Sequence, residues 1–218
     1  MSRSLKYDFA GPDFRVAAED LVGPGLAKLF EPDLEPPLQL TVDLGFGRGE
    51  LLLDLAGGEP QAAFLGVEYS HKRVLKLARR LARTPLRNLR LVCATAEAIV
   101  EGRLPDGFVH AFWINFPDPW PKKRHHRRRL IQPAFVKQLA RRLEPGGILH
   151  VATDHPEYAE VIAEVLAAEP LLENLNAPEA WRAEPPARCT TAYELEWRAL
   201  GRACRYFCHR RVSDASVA

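Results

Sequence analysis

The sequence predicts an α/β protein built on a Rossmann-like, doubly wound and mostly parallel sheet. Short apolar runs alternate with helix-like segments from about residue 38 to residue 168, which is the spacing of βαβ units. The first apolar run ends in a glycine-rich turn, residues 45–49, at the position where such sheets bind ligands. With 218 residues, 47% of them hydrophobic and 27% charged, the chain can form one large domain with a full core.

Each strand is predicted from a short apolar run that ends at a glycine, an acid or a loop. These runs cover residues 38–44, 63–68, 88–93, 108–114 and 148–152. The intervening helices are predicted at residues 50–56, 71–83, 95–101, 134–143 and 157–168. Ser70 is a favourable N-cap for the second helix, and Pro145 with the two glycines after it ends the fourth. The domain then closes with a loop over 171–189, a short helix over 193–200 and a final strand over 202–209.

Prolines and composition set the expected domain boundaries. Residues 1–37 contain five prolines and no clear alternation, so we interpret them as a partly flexible lead-in with one short helix. A single domain is expected over residues 38–212. The last residues, 213–218, are small or polar and predict a disordered tail.

The composition argues against several classes of protein. The N-terminus has no apolar region typical of a signal peptide, and no apolar stretch approaches the ~20 residues of a membrane span. The four cysteines form no Cys-x-x-Cys pair, so we expect no metal site and a reduced, cytoplasmic protein. The net charge is only +2, so a polyanionic partner would have to be recognised by a local concentration of charge.

That concentration follows a proline-rich loop between Ile114 and Arg129. Three prolines within residues 117–121 fix the backbone and exclude a helix interior or a central strand. The loop carries one carboxylate, Asp118, and residues 122–129 then contain six Lys/Arg and two His. An acid held rigidly beside a run of cations predicts a site that grips a polyanion and does chemistry next to it. The alternative interpretation is a solvated basic face.

The glycine-rich turn differs from the common nucleotide fingerprints. A dinucleotide motif needs a third glycine at position 50, which is Glu50, and no Gly-Lys-Ser/Thr follows to make a P-loop. The spacing Gly45-x-Gly47-x-Gly49 after Asp43 instead resembles the first motif of class I S-adenosylmethionine-dependent methyltransferases. Asp43 would suit the positive end of that cofactor. Glu68, at the end of the second strand, could accept hydrogen bonds from both ribose hydroxyls.

From about residue 42 to residue 209 the chain resembles the bacterial tRNA (guanine-N7)-methyltransferase family. The resemblance rests on five motifs in the same order. They are Asp-Leu-Gly-Phe-Gly-Arg-Gly-Glu (43–50), Phe-Leu-Gly-Val-Glu (64–68), Asn-Phe-Pro-Asp-Pro-Trp-Pro-Lys-Lys-Arg-His (115–125) with its Arg-Arg-Arg, Ala-Thr-Asp (152–154) and Thr-Ala-Tyr-Glu (191–194). The proline-aspartate-proline-tryptophan loop that leads into a basic segment is the most specific of them.

The resemblance implies a class I methyltransferase fold with an antiparallel last strand, acting on a guanosine in the variable loop of tRNA. It implies Asp118 as the catalytic residue. The implied contacts to S-adenosylmethionine are Asp43, Gly45, Gly47, Gly49, Glu68, Thr95 and Asp118. The implied contacts to the substrate are Lys122, Arg124, Arg127, Arg128, Arg129, Asp154, Thr191, Ala192, Tyr193 and Glu194. We expect a monomer or homodimer.

The chain departs from the family pattern at three positions. Thr95 stands near the place of an aspartate that usually holds the adenine amine, Ala192 replaces a usual lysine, and Glu196 stands where a basic residue is common. Two alternatives therefore stay open. One is a methyltransferase for another RNA or a small molecule, and the other is an RNA-binding protein with a weakened cofactor site.

The chemistry of the implied reaction shapes the expected role of Asp118. Guanine N7 has a free lone pair and no proton, so its methylation needs no general base. Methylation leaves the purine positively charged, and we expect Asp118 to act as an electrostatic and positioning group. We expect Asp154 and Glu194 to accept hydrogen bonds from the N1–H and N2–H groups of guanine.

Overall fold

A mixed sheet of eight strands runs through the part of the chain that the computed structural model describes, residues 9–22 and 25–213. Its strands are β1 (Arg15–Val16), β2 (Leu40–Leu44), β3 (Ala63–Glu68), β4 (Leu89–Cys93), β5 (Val109–Asn115), β6 (Leu143–Thr153), β7 (Leu172–Asn174) and β8 (Arg205–Arg211). Their order is β1-β4-β3-β2-β5-β6-β8-β7. The first six in this order are parallel, and β8 and β7 are antiparallel to their neighbours. The predicted doubly wound sheet with an antiparallel last strand is confirmed.

Helices cover both faces of this sheet. They are α1 (Gly25–Lys28), α2 (Glu50–Gly58), α3 (His71–Leu81), α4 (Ala96–Gly102), α5 (Pro133–Arg142), α6 (Pro156–Ala167) and α7 (Ala192–Ala199), with 3₁₀ helices at Ala18–Asp20 and Lys123–Arg128. Buried side chains of α2 and α3 pack in one apolar cluster, while those of α4, α5 and α6 pack in another. Neighbouring residues of β3 belong to different clusters, as expected when successive side chains point to opposite faces. Every residue of β2 and β3 is buried.

The described part of the lead-in packs against this core. Leu21, Leu26 and Phe30 are buried in the larger cluster. Arg90 of β4 donates a hydrogen bond from Nε to the Leu29 carbonyl oxygen at 2.5 Å and pairs with Asp33 at 3.0 Å. The expected division into lead-in, domain and tail stays a prediction, because residues 1–8 and 214–218 lie outside the described residues.

Three local expectations were wrong. Strand β6 begins at Leu143, which the sequence suggested was helical, and Gly146 and Gly147 lie inside this strand instead of simply ending a helix. The pairing with β5 jumps from Val109–Leu143 to Ala111–Ile148, so the glycines form a bulge. A Cβ atom at Gly147 would lie 3.0 Å from the carbonyl oxygens of residues 109 and 110, which explains the glycine. The short edge strands β1 and β7 were not expected.

None of the described helices combines the length and the apolar character that crossing a bilayer requires.

The core of β3 allows a test of packing. A Cβ atom at Gly66 would lie 2.4 Å from Leu52 and 2.9 Å from Phe46, whereas one at Gly57 of α2 would meet no atom within 4 Å. We expect Gly66→Ala to lower the free energy of unfolding by about 1–3 kcal/mol through overpacking. The matched control Gly57→Ala should raise it by about 0.5–1 kcal/mol. Urea denaturation measures both, and equal effects would contradict this description of the core.

Candidate active site

Polar residues from distant parts of the sequence meet at the carboxyl edge of the parallel strands. Asp43, Glu68 and Asn115 lie at or next to the ends of β2, β3 and β5, which are adjacent in the sheet. A cavity of about 590 Å³ opens at this edge. Its wall includes six of the predicted site residues, namely Asp43, Gly45, Gly47, Asp118, Thr191 and Tyr193. The structure thus brings predicted cofactor and substrate residues around one space.

The glycine-rich turn forms one wall of the cavity. Gly45, Gly47 and Gly49 all have positive φ angles, of 85°, 57° and 74°, which favour glycine. Gly49 is also confined by packing, because a Cβ atom there would lie 2.5 Å from the side chain of Leu77 on α3. The turn therefore exposes backbone to the cavity and brings α2 close to α3.

Asp43 is a buried carboxyl group beside this turn. Burial, opposed by the Arg188 cation and reinforced by the nearby Glu68 charge, raises its pKa to about 7. Its side chain has no described hydrogen bond in the structure. A buried carboxyl with this balance of charges favours a ligand that brings a positive group.

Glu68 and Thr95 lie along the same edge but not on the described wall of the cavity. Glu68 is buried and accepts hydrogen bonds from the backbone N–H groups of Ser70 at 2.9 Å and of Gly47 at 3.2 Å. Thr95 is exposed and caps α4, where its hydroxyl oxygen accepts the Ala98 N–H at 3.3 Å. Thr95 therefore has a local structural role that its position near the third strand did not reveal.

This donor set fits S-adenosylmethionine. Asp43 offers a carboxylate to a cationic group, and the glycine turn leaves room for a ligand beside it. The Glu68 carboxylate lies at the end of the next strand, where its oxygens already accept the Ser70 and Gly47 N–H groups and only unused lone pairs remain for a ligand. The described residues contain no group of three or more His, Cys, Asp or Glu side chains arranged to hold a metal ion.

The proline-rich loop forms the opposite wall and is held in a strained conformation. Phe116 and Trp120 have φ angles of 54° and 43°, in the left-handed region that costs non-glycine residues about 1–3 kcal/mol each. The loop is anchored at both ends. The Phe116 N–H donates to the Ala152 carbonyl at 2.8 Å, and Arg129 Nε donates to the Pro119 carbonyl at 2.7 Å. Between these anchors Asp118 is exposed on the cavity wall.

The basic residues that follow fall into two groups. The exposed cations are Lys122, Lys123, Arg124, Arg127 and Arg128. The Arg128 guanidinium lies 5.0 Å from the centre of the Trp120 ring. Arg129 is different, because its side chain is only 1% exposed and both of its terminal nitrogens bond Glu157, at 3.0 and 3.1 Å. The expected contact of Arg129 with RNA is therefore corrected: this residue supports the loop from inside.

Glu194 also has a structural position. Its side chain is fully buried and accepts hydrogen bonds from Arg188 at 2.7 and 2.8 Å, from Tyr206 at 2.8 Å and from the Thr191 N–H at 2.7 Å. Although burial raises its pKa, these hydrogen bonds, first among them those from Arg188, lower it to about 2. Both carboxylate oxygens are engaged, so the expectation that Glu194 accepts a hydrogen bond from guanine is corrected.

The buried Glu194 side chain also holds the other residues of the C-terminal motif, residues 191–193, in position. Thr191 is the N-cap of α7, and its hydroxyl donates to Glu194 at 2.9 Å. Two carboxylates of α2 fix the same segment, since Glu50 accepts the Ala192 N–H at 2.7 Å and Asp54 accepts the Cys189 N–H at 2.9 Å. Ala192 therefore helps to hold this segment through its backbone N–H group, which bonds Glu50, and not through its side chain.

Asp154 lies next to this motif at the end of β6. Arg202 donates to one of its oxygens at 2.9 Å, and the Tyr193 hydroxyl is 3.5 Å from the other. The Tyr193 ring packs against Phe116 with 4.8 Å between ring centres, which joins the C-terminal motif to the proline-rich loop. Asp154 keeps capacity to accept a further hydrogen bond at the second oxygen.

Four cations on the cavity wall were not identified as site residues from the sequence. Arg48 belongs to the glycine-rich turn, and Arg73, Lys76 and Arg80 belong to α3. Arg188, in a segment that the sequence suggested was a loop, is a further functional candidate. A signal for the three of α3 was present, because residues 71–83 contain six Lys/Arg and one His without any acid. The basic face was recognised, but no function was assigned to it.

Comparison with known proteins finds methyltransferases by sequence. A family model described as "Putative methyltransferase" matches residues 38–206. The tRNA (guanine-N7)-methyltransferase of Paracidovorax citrulli is 42% identical over 174 residues, which cover 80% of this chain and 69% of that protein. Proteins of the same name from Alkalilimnicola ehrlichii and Cronobacter sakazakii are 44% and 35% identical. These matches cover 66% and 88% of this chain, and 62% and 76% of those proteins.

Solved structures of methyltransferases share the fold. The aminoglycoside resistance methyltransferase NpmB1 matches with a TM-score of 0.59 and 17% identity, over 88% of this chain and 94% of that one. A variant of the 16S rRNA (adenine(1408)-N(1))-methyltransferase from Catenulisporales acidiphilia, solved with its cosubstrate S-adenosylmethionine, matches with a TM-score of 0.59 and 18% identity, over 88% of this chain and 93% of that one. At these identities the likeness concerns the fold alone.

The division of the basic segment into buried and exposed cations can be tested by matched substitutions. Arg129→Met removes the hydrogen bond to the Pro119 carbonyl, and we expect it to lower the free energy of unfolding by on the order of 2 kcal/mol. Arg128→Met, at an exposed position, should change it by less than about 0.5 kcal/mol. Chemical denaturation measures both variants. A destabilisation by Arg128→Met as large as that by Arg129→Met would show that the two side chains are not distinguished in this way.

Proposed function

This chain belongs to the family of tRNA (guanine-N7)-methyltransferases, and we propose on that premise that it methylates N7 of a guanosine in the variable loop of tRNA, using S-adenosylmethionine. The observation that carries the proposal is the cavity that joins Asp43, the glycine-rich turn and Asp118, with exposed cations on both sides of it. The cytoplasmic location and the monomeric or homodimeric state stay predictions.

The residues of the first two strand ends would hold the cofactor. When bound, S-adenosylmethionine supplies an electrophilic methyl group on a positively charged sulfur. Asp43 would hold a positive group of the cofactor, Glu68 would accept the ribose hydroxyls, and the backbone of Gly45 and Gly47 would pack against the ligand. The exposed Thr95 lies at the end of the next strand and could offer one neutral hydrogen-bond acceptor.

We infer an electrostatic role for Asp118. Because guanine N7 carries a lone pair and no proton, the protein does not have to remove a proton during methyl transfer. The purine gains positive charge as it is methylated, and a carboxylate fixed on the cavity wall lowers the energy of that charge. The strained and doubly anchored loop supports the role, since a fixed negative group needs no reorganisation during the reaction.

The guanine itself would be recognised between the proline-rich loop and the C-terminal motif. Asp154 has an oxygen that can accept a hydrogen bond from the donor edge of guanine, where N1–H and the N2 amino group lie. Thr191 and Tyr193 line the cavity, and Asp154 lies beside the Tyr193 hydroxyl. Glu194 contributes indirectly, because it holds Thr191 in place through the capping box.

Phosphate groups of the tRNA would be bound on two surfaces. One is the exposed basic segment, Lys122 to Arg128, beside Asp118. The other is the α3 surface, defined as Arg73, Lys76 and Arg80, on the opposite wall of the cavity. An RNA strand that crosses the cavity would meet positive charge on either side, which favours binding and orients the strand.

The experiment that tests the proposal uses two tRNA transcripts. One carries guanosine throughout, and the other carries 7-deazaguanosine, which lacks the acceptor nitrogen but keeps the hydrogen-bonding edge. We expect methyl transfer from labelled S-adenosylmethionine only to the first transcript, although both bind the protein equally. Transfer to both would show that N7 is not the acceptor, and transfer to neither would remove the assigned activity.

Substitution of Asp118 tests the electrostatic role. We expect Asp118→Asn to lower the single-turnover rate by about 10²–10³-fold, the typical effect of removing one preorganised stabilising group. At neutral and alkaline pH the pH dependence of the residual rate should match that of the wild type, because no proton is removed from the guanine. Binding of tRNA serves as the control and should change little. A rate equal to that of the wild type would sink the assignment.

The α3 surface can be tested through the salt dependence of tRNA binding. Each lost phosphate contact lowers the slope of log affinity against log salt by ~0.7–0.9. We therefore expect Lys76→Ala and Arg80→Ala each to reduce the slope by about that amount. Lys137→Ala is the matched control, since Lys137 is exposed on α5 and is not part of the cavity wall. If the α3 variants keep the wild-type slope, the α3 surface does not contact phosphate.

A further inference from the structure

One buried cation, Arg188, belongs to the C-terminal segment that also carries Thr191 and Glu194. The Arg188 side chain is fully buried. Its terminal nitrogens donate to both oxygens of Glu194, at 2.8 and 2.7 Å, and one of them also donates to the Cys189 carbonyl at 2.6 Å. Its Nε–H is buried and has no hydrogen-bond partner among the described residues. Burial of two charges is costly, and a pair of this kind is weak evidence for a role in stability.

The position of Arg188 relates it to Asp43. The guanidinium lies 5.7 Å from the centre of the Trp113 ring, and Trp113 is the β5 partner of Asp43 in the sheet. Paired residues of neighbouring parallel strands project to the same face. The charge of Arg188 therefore acts on the Asp43 carboxyl group, in the direction opposite to burial and to the charge of Glu68. These are the charged groups that face Asp43 from the C-terminal segment and from β3.

We propose that Arg188 is a positioning residue that keeps Asp43 negatively charged for the cofactor and links that charge to the seating of residues 188–194. This inference rests on the proposed function, in which Asp43 holds a positive group of S-adenosylmethionine. Arg188 is held in this position by its hydrogen bonds to Glu194, and the segment around it is held by Glu50 and Asp54, which accept the Ala192 and Cys189 N–H groups. Arg188 thus acts both on the segment that would face the tRNA and on Asp43, the carboxylate that would bind the cofactor.

The sign of the effect on cofactor binding follows from the charges. Burial raises the pKa of Asp43 to about 7, so this carboxyl gains its negative charge as the pH rises through about 7. Affinity for a cationic ligand should rise over the same range. Without Arg188 the opposing effects of burial and Glu68 act alone, so ionisation of Asp43 moves to higher pH. Each pH unit by which the midpoint of Asp43 ionisation rises weakens binding of the cationic ligand about tenfold, at any pH below the midpoints of both the wild type and the variant.

The experiment measures the affinity of the full chain for S-adenosylmethionine by calorimetry between pH 6 and pH 9. We expect Arg188→Met to move the midpoint of the pH profile upward by about one unit or more, with binding restored at the alkaline end. Glu194→Gln is the matched control, because it removes the negative charge of the pair while its amide oxygen can still accept a hydrogen bond from Arg188. The cation then stays in place, and the midpoint should not move upward. The amino group of S-adenosylmethionine also titrates in this range, but in the same way for every variant. Its effect therefore cancels when the affinity of a variant is divided by that of the wild type at the same pH.

Two further variants keep the test decisive. Asp43→Asn should remove the titration, and adding Arg188→Met to it should then produce no additional pH-dependent loss. If Arg188→Met alone does not fold, Arg188→Met with Glu194→Leu removes both buried charges, and its midpoint should move upward in the same way. Equal losses at every pH, or an upward midpoint shift in Glu194→Gln as well, would overturn the proposal and leave only a structural role. A wild-type chain that does not bind S-adenosylmethionine would overturn the proposed function and this inference together.

Discussion

The site depends on the place of β2 in the sheet, between β3 and β5. Strand order reverses at β2, because the chain moves outward through β3 and β4 and then returns to pair β5 on the other side. This arrangement sets Asp43 beside Trp113 and places Asn115 beside Ala152, so that the glycine-rich turn and the proline-rich loop face each other. The C-terminal segment joins this site through α2, where Glu50 and Asp54 accept the Ala192 and Cys189 N–H groups.

Cations serve two distinct purposes around that gap. Arg129 and Arg188 are buried and bind carbonyl or carboxylate oxygens of the protein, which fixes the loops that present Asp118 and Thr191. The exposed cations of the basic segment and the α3 surface remain available to a polyanion. A buried ion pair gives little net stability, because desolvation offsets its attraction, so its value here lies in the geometry that it imposes. A strained loop, with two non-glycine residues at positive φ, needs such fixed supports.

Much of this arrangement could be predicted from the sequence. The apolar runs that end at Asp43 and Glu68 locate strand ends reliably, since a buried parallel strand has a short and continuous apolar pattern. The burial of Arg129 and Glu194 could not be predicted, because the partners that make burial possible, Glu157 and Arg188, are supplied by the tertiary structure. The strand across Gly146 and Gly147 was missed for a related reason. Their sequence is typical of a helix end, and only the approach of the β5 backbone shows that they form a bulge.

We propose that this cavity carries out base-specific methylation of tRNA. The most direct measurement is nucleoside and fragment mass analysis of a tRNA mixture, after incubation with the protein and S-adenosylmethionine that carries an isotopically labelled methyl group. The expected result is one labelled nucleoside, 7-methylguanosine, confined to the fragment that contains the variable loop. A label on another base or in another fragment, or no label at all, would contradict the claim.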